Sequence, residues 1–286
     1  MNSQSFKLAV TALVALHLIA CSPVKQGKAD TATVQPQPNQ VSFFERPATL
    51  AAVRASGDAV PVVVLLGTDA WAAVIGSDSP IFALYDDGTA IWRRGDGFRT
   101  TRLKASELAQ LYAELNLDGL GPLYGRYEAA PMTDQPEANI LDYRRDKPTI
   151  VSVYGSLRSP KVRERIPKAI ATVYDKLESF NHSGANWLPD KFEVMVWPYE
   201  YAPEASIVWP EDLPHLTDAS TVKRGDSYSI YVPSSKLRQV RDLLARRSEK
   251  GAIEIGGKKW AVAIRFPFPA ERLWMAPNAE VEGSRR

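Results

Sequence analysis

The chain has 286 residues, which at roughly 150 residues per domain predicts about two folded domains. Its 35 Lys and Arg nearly balance 33 Asp and Glu, so no single-sign field exists to attract a polyanion, and nucleic acid is not expected as a partner. With 45% hydrophobic and 24% charged residues, the composition is neither that of a disordered chain nor of a multi-spanning one. A single cysteine excludes an internal disulfide and a cysteine metal cage.

Residues 1–20 read as a signal peptide. Lys7 precedes an apolar run from Leu8 to Ala20, long enough for a signal core and short of the about 20 residues that span a bilayer. The run ends in Leu18-Ile19-Ala20-Cys21, and these four residues resemble a bacterial lipobox, the site at which signal peptidase II cuts before the cysteine. The resemblance implies that the Cys21 sulfur is diacylated, with palmitate-like chains, and that its new amino group is acylated as well. Each buried CH₂ contributes about 0.8 kcal/mol, so two or three chains hold a protein at a membrane durably. Acylation also consumes the only thiol, as suits an oxidising compartment. Ser22, not Asp, follows the cysteine; by the same resemblance, the expected location is the cell envelope, at the periplasmic face of the outer membrane in a Gram-negative cell.

Residues 21–57 are expected to be the lipidated cysteine and a tether. Residues 22–42 are polar, rich in Pro and Gln and nearly without large apolar groups, so they cannot offset the entropy of ordering. Twenty-odd such residues reach roughly 25 Å. A first α+β domain is expected at 58–183. Pro61–Leu66 reads as a buried strand. Ile81–Tyr85 and Thr89–Trp92 form a hairpin around Asp86-Asp87-Gly88, where glycine accepts the positive φ of a tight turn. Gly95-Asp96-Gly97 turns the chain into Phe98–Leu103. Ser106 is placed to cap a helix with Leu108, Leu111, Tyr112 and Leu115 on one face, ending before Asp118-Gly119. A second hairpin joins Ala138–Tyr143 to Thr149–Tyr154. Pro167 then opens a helix with Ile170, Val173, Tyr174, Leu177 and Phe180 inward.

His182–Asp190 reads as a junction, and 190–275 as a second α+β domain. It contains strands at Phe192–Trp197, Tyr228–Val232 and Lys258–Phe266, with an irregular proline-rich stretch at Pro198–Pro214. Ser234 or Ser235 is expected to cap a helix carrying Leu237, Val240, Leu243 and Leu244 inward, with Arg246-Arg247 at its C-terminal end and Gly251 beyond. Residues 276–286 are expected to be a disordered tail. Strands joined as hairpins predict two small α+β domains, each an antiparallel sheet packed on one or two helices.

Leu84-Tyr85-Asp86-Asp87-Gly88-Thr89, Leu108–Leu115, Thr133-Asp134-Gln135-Pro136 and Ile150–Tyr154 together resemble an uncharacterised domain of secreted bacterial proteins and lipoproteins, over Phe82–Phe180. The chain departs from that pattern at Asp86, where glycine is usual. The resemblance implies a fold and an envelope setting and no chemistry.

Local signatures of catalysis are scarce. His17 falls in the signal peptide, and His182 and His215 are far apart with no metal-ligand spacing; no metal or cofactor is expected. Ser220-Thr221-Val222-Lys223 matches Ser-x-x-Lys, but no Lys-Thr-Gly accompanies it. Asp86, Asp87, Asp134, Glu204, Glu211 and Asp212 are acids near turns; the first two are explained by the turn, and Asp134 by capping loop backbone. The C-terminal half carries Trp187, Trp197, Trp209, Trp260 and Trp274, with Tyr199 and Tyr201 beside prolines. Core packing accounts for Trp197 and Trp260, and Trp209 is expected to be the exposed exception. Trp209, Tyr199, Tyr201 and Asp134 are therefore the candidate ligand-binding residues. Arg238, Arg241, Arg246 and Arg247 make a basic, solvated helix face.

The expectation is a non-enzymatic envelope lipoprotein that binds or scaffolds a partner, either an envelope protein or cell-wall glycan. The alternative is a hydrolase of cell-wall glycan or peptide that uses paired carboxylates beside the C-terminal aromatics. A subunit of a larger assembly is a third possibility, marked by a large exposed apolar patch.

Overall fold

The computed structural model describes residues 33–38, 55 and 57–274. The expected signal peptide, the expected lipidation site Cys21, most of the expected tether and the expected tail at 276–286 lie outside the described residues. The fold is α+β, built on two largely antiparallel sheets. The first contains β1 (Pro61–Thr68), β2 (Phe82–Tyr85), β3 (Thr89–Arg94), β4 (Gly97–Arg102), β5 (Gly125–Glu128), β6 (Glu137–Asp142), β7 (Thr149–Tyr154) and β8 (Ala185–Trp187). Its helices are α1 (Ala105–Leu115), the short α2 (Pro160–Arg163) and α3 (Lys168–Glu178). The second contains β9 (Lys191–Pro198), β10 (Ile207–Val208), β11 (Val222–Arg224), β12 (Ser227–Pro233), β13 (Ile253–Ile255) and β14 (Lys258–Arg265), with α4 (Leu237–Arg246).

Strand order in the eight-stranded sheet is β5-β7-β6-β1-β2-β3-β4-β8, and in the six-stranded sheet β10-β13-β14-β9-β12-β11. Only β5–β7 and β10–β13 pair in parallel. The core follows from strand alternation. Phe82, Leu84, Trp92, Ile140, Val151 and Val153 share one core with Leu111 and Leu115 of α1 and with Ile170, Val173 and Leu177 of α3. The intervening residues Ala83, Tyr85, Ile91 and Leu141 belong to a second core with Phe192, Val194, Val196, Ile230, Val232 and Val262 of the second sheet and Val240 and Leu243 of α4. The eight-stranded sheet is therefore covered on both faces, and its central strands carry few polar side chains.

The segment from Phe266 to Trp274 ties the sheets together. Phe98 on β4 meets Phe266 and Phe268 edge-on at 5.5 and 5.2 Å, and the Tyr85 hydroxyl donates to the Pro269 carbonyl at 3.0 Å. A buried ion cluster holds the root of this segment. Arg265, 3% exposed, donates to Glu193 at 2.8 Å and to both carboxylate oxygens of Glu271 at 2.8 and 2.6 Å.

The Asp86-Asp87-Gly88 turn forms as expected. Gly88 has φ +84°, a Cβ there would sit 2.8 Å from the Leu103 carbonyl, and the Asp87 carboxylate accepts the Thr89 amide at 2.9 Å. Several details differ from the sequence reading. Helix α1 starts two residues early: Lys104 is its N-cap, and Glu107, not Ser106, accepts the Lys104 amide at 2.7 Å. Ser234 and Ser235 do not cap α4; they form a 3-10 turn that leads into it, and Lys236 is the N-cap. Its left-handed terminus is Asn116, φ 48°, not Gly119, because asparagine tolerates that conformation almost as well as glycine does. The junction at 182–190 contains β8, which pairs with β4 and packs Trp187 against Phe98. Finally, Thr33–Pro38, inside the expected tether, lies against β5: Gln37 and Arg126 exchange backbone hydrogen bonds at 2.8 and 3.1 Å. β5 is an edge strand, and its outward amides and carbonyls need partners that the sheet does not supply.

Candidate functional site

The loop between β1 and β2 carries an exposed tryptophan, Trp71. Asp69 and Asp78 close its base: the Asp69 amide donates to the Asp78 carboxylate at 3.1 Å, and the Trp71 amide donates to the Asp69 carboxylate at 2.9 Å. Val74, fully buried, pins the middle of the loop, while Trp71 and Ile75 stand 76% and 61% exposed. Trp71 is held in place. Its indole N–H donates at 3.0 Å to the backbone carbonyl of Asp134, a residue in the left-handed conformation at φ 56°. Met132, two residues before Asp134, is also exposed.

A cleft of about 300 Å³ is lined by residues of the same loop (Asp69, Asp78), of β3 (Arg93), by Glu137 at the start of β6, by Arg158 in the turn before α2, and by Tyr174 of α3. Trp71 lies two residues from Asp69, and Asp134 two from the lining residue Pro136, so the Trp71–Asp134 hydrogen bond joins two segments that each contribute to the cleft lining. Asp78 and Arg93 also line a second cleft of about 350 Å³ at the junction of the two sheets. Burial raises the Asp78 carboxyl above the usual carboxylate range, against the opposing pull of the Asp69 amide and of Arg93 and Arg265. Burial likewise lowers the Arg93 guanidinium, whose Nη2 donates to the Ser79 carbonyl at 2.9 Å. Two opposite charges are thus kept partly desolvated at one place. That arrangement disfavours the isolated charges and favours a partner bringing polar groups of its own.

The loop bridges both sheets. Arg265 Nε donates to the Asp78 carbonyl at 3.3 Å, the Phe266 amide donates to the Ser79 hydroxyl at 2.7 Å, and Gly76 lies against Met195 of β9. The cleft's charges are therefore positioned by the same contacts that join the sheets.

The candidate residues read from the sequence are not brought to one site. Trp209 is 2% exposed, with its indole N–H donating to the Pro214 carbonyl at 3.0 Å. The expectation of an exposed ring there is corrected: its neighbours in the core, among them Leu213 and Ile253, enclose it. Tyr201 is 92% exposed at the turn after β9, and Tyr199 is half-buried with its amide on the Lys259 carbonyl; both belong to the second sheet. Asp134 enters the site only as the backbone acceptor for the Trp71 indole.

The acids named for the C-terminal half are spread over the surface. Glu204 accepts the Lys250 amide at 3.0 Å, Asp212 holds Lys236 and Gln239, and Glu211 is exposed. Lys223 of the Ser-x-x-Lys pattern lies over the Tyr228 ring at 5.9 Å. His182 Nε2 is 3.5 Å from Glu107, and the His215 amide donates to Asp218. Among the described residues no group of three or more His, Cys, Asp or Glu could hold a metal ion, and no helix is long and apolar enough to cross a membrane.

Trp71, Asp78 and Arg93 escaped the sequence reading. The available signal was a tryptophan and an isoleucine inside a Gly-, Asp- and Ser-rich stretch between two strands (GTDAWAAVIGSDSP), where turn chemistry places side chains at the surface. No protein-family model, curated protein or solved structure matches the chain.

Proposed function

We propose that this chain is a cell-envelope lipoprotein, held at a membrane through acylated Cys21, whose folded part is a non-enzymatic binding module acting through the Trp71 cleft. The observation that carries the reading is Trp71: a large apolar ring, 76% exposed, yet fixed by the hydrogen bond of its indole to Asp134. A mobile exposed ring would have no defined geometry to offer, whereas a fixed one presents a stacking face at low entropic cost. The loop that carries the ring also supplies Asp69 and Asp78 to the cleft, where Asp78 and Arg93 are partly desolvated. Apolar and charged contacts side by side suit a segment of an envelope protein or a stretch of cell-wall glycan.

The test places a photocrosslinking amino acid at Met132, two residues from the Asp134 carbonyl that holds Trp71, in the full chain expressed in its own envelope. A discrete adduct is expected, lost on Trp71→Ala while the folded protein and its membrane fraction persist. An adduct unchanged by Trp71→Ala, or none at all, overturns the cleft as the binding site. Separately, Cys21→Ala is expected to move the protein from the membrane to the soluble fraction; retention overturns the anchor.

A further inference from the structure

Thr33–Pro38 is docked by more than its bridge to β5. The Val34 amide donates to the Arg165 carbonyl at 2.8 Å, so the segment spans from the end of α2 to the sheet edge. Gly125, the first residue of β5, has φ +134°, and a Cβ there would come within 2.9 Å of Pro36 Cβ and 3.2 Å of the Gln37 backbone. Only glycine both adopts that backbone conformation and admits the segment so closely. Pro36 and Pro38 flank Gln37 and reduce the freedom lost when it docks.

The place where this strap joins the body is basic. From Arg158 to Lys168 the chain has five cations, Arg158, Lys161, Arg163, Arg165 and Lys168, against one acid, Glu164. Arg158 pairs with Glu178 and Arg163 with Asp175, while Lys161 and Lys168 are exposed. The first residues after Cys21 add Lys25 and Lys28 against Asp30.

We propose that the strap fixes how the body meets its membrane, turning the β5 edge and the basic stretch Arg158–Lys168 toward an anionic phospholipid surface. This rests on acylation of Cys21. Eleven residues lie between Cys21 and Thr33, a span of at most about 40 Å even fully extended, whereas the distance along the chain from Cys21 to Asp58 would allow roughly 130 Å. The strap therefore shortens the leash about threefold and assigns it to one edge of the sheet. The far edge, β8, is seven strand spacings away, roughly 33 Å. The acyl chains hold the protein; the cations orient it.

The experiment uses the mature full-length chain with acylated Cys21, reconstituted in phosphatidylethanolamine–phosphatidylglycerol vesicles that carry a headgroup nitroxide. Because Cys21 is the only cysteine and its thiol is acylated, Glu164→Cys and Asn186→Cys each give one labelling site, near the strap and on β8. Strong quenching of a fluorophore at 164 and little at 186 is expected. The difference should disappear when Val34→Pro and Gln37→Pro remove the strap's two amide donors, and shrink in vesicles of neutral lipid only. Hydrogen exchange of the Arg126 amide, protected in the parent and unprotected in the double proline variant, reads the strap by itself. Equal quenching at the two sites with Arg126 protected overturns the orientation. An unprotected Arg126 amide in the parent overturns the strap. A parent chain that fails to stay on the vesicles, or a Cys21→Ala chain retained as well as the parent, overturns the anchor on which the proposal rests.

Discussion

Arg265→Met tests whether the buried ion cluster holds the two sheets together. Arg265 and the side chain of Glu193 are each 3% exposed, and Arg265 bridges Glu193, Glu271 and the Asp78 carbonyl. Methionine keeps most of the volume and removes every donor. Glu193 is then left almost fully buried, with Arg224 as its remaining cation at 3.9 Å, whereas Glu271 is 19% exposed and still accepts the Phe268 amide at 3.1 Å. Removing one partner of a buried pair costs about 3–5 kcal/mol, because the other charge stays desolvated. For a folded part of this size, each kcal/mol moves the midpoint by about 2–4 °C, so thermal and urea unfolding followed by circular dichroism should show a loss of about 6–20 °C. Adding Glu193→Leu should restore most of it, since an apolar pair of similar volume is often neutral relative to the ion pair. A loss under about 1 kcal/mol for Arg265→Met, or a double variant as unstable as the sum of its singles, would refute the reasoning.

Two further predictions concern stability. Trp209→Ala removes a large side chain from a closed core and should cost about 3–5 kcal/mol in urea unfolding, while Trp71→Ala, a change at an exposed ring, should stay within about 0.5 kcal/mol; equal losses would contradict the burial assigned to each. Asp78→Asn should raise the melting temperature at neutral pH and leave it unchanged near pH 3. The folded Asp78 holds its proton more tightly than the unfolded chain does, so the stability it contributes is complete below the ordinary carboxylate pKa and is lost as pH rises through the raised folded value. Asparagine removes the charge that causes the loss, and a gain of equal size at both pH values would contradict the assignment.

Much of this fold is local and was readable from residue order. The Asp-Gly turn at 86–88, the period-two strands of the 138–154 hairpin and the inward faces of α1, α3 and α4 all depend on neighbours within a few residues. The pieces that were missed need a distant partner. β8 is three residues long and exists because β4 offers it an edge. β5 pairs in parallel with β7, from which the β6 strand and two turns separate it in sequence. The strap at 33–38 is a proline-rich stretch with no helical or strand pattern of its own, and it docks on Gly125, Arg126 and Arg165.

The candidate site divides in the same way. Sequence alone carried the resemblance to a lipobox, the scarcity of local catalytic motifs and the reading of Thr133–Pro136 as a loop, because each is a property of a few adjacent residues. It could not separate Trp209 from Trp71: both are tryptophans in irregular, polar surroundings, and exposure depends on what the rest of the chain packs over a ring. Tertiary structure decided that Trp209 joins a core with Leu213 and Ile253, and that Trp71 stands exposed on a loop whose Asp69 and Asp78 line a charged cleft. It also brought Asp78, Arg93 and Arg265 together across both sheets, because burial and charge proximity arise only when strands distant in sequence pack side by side.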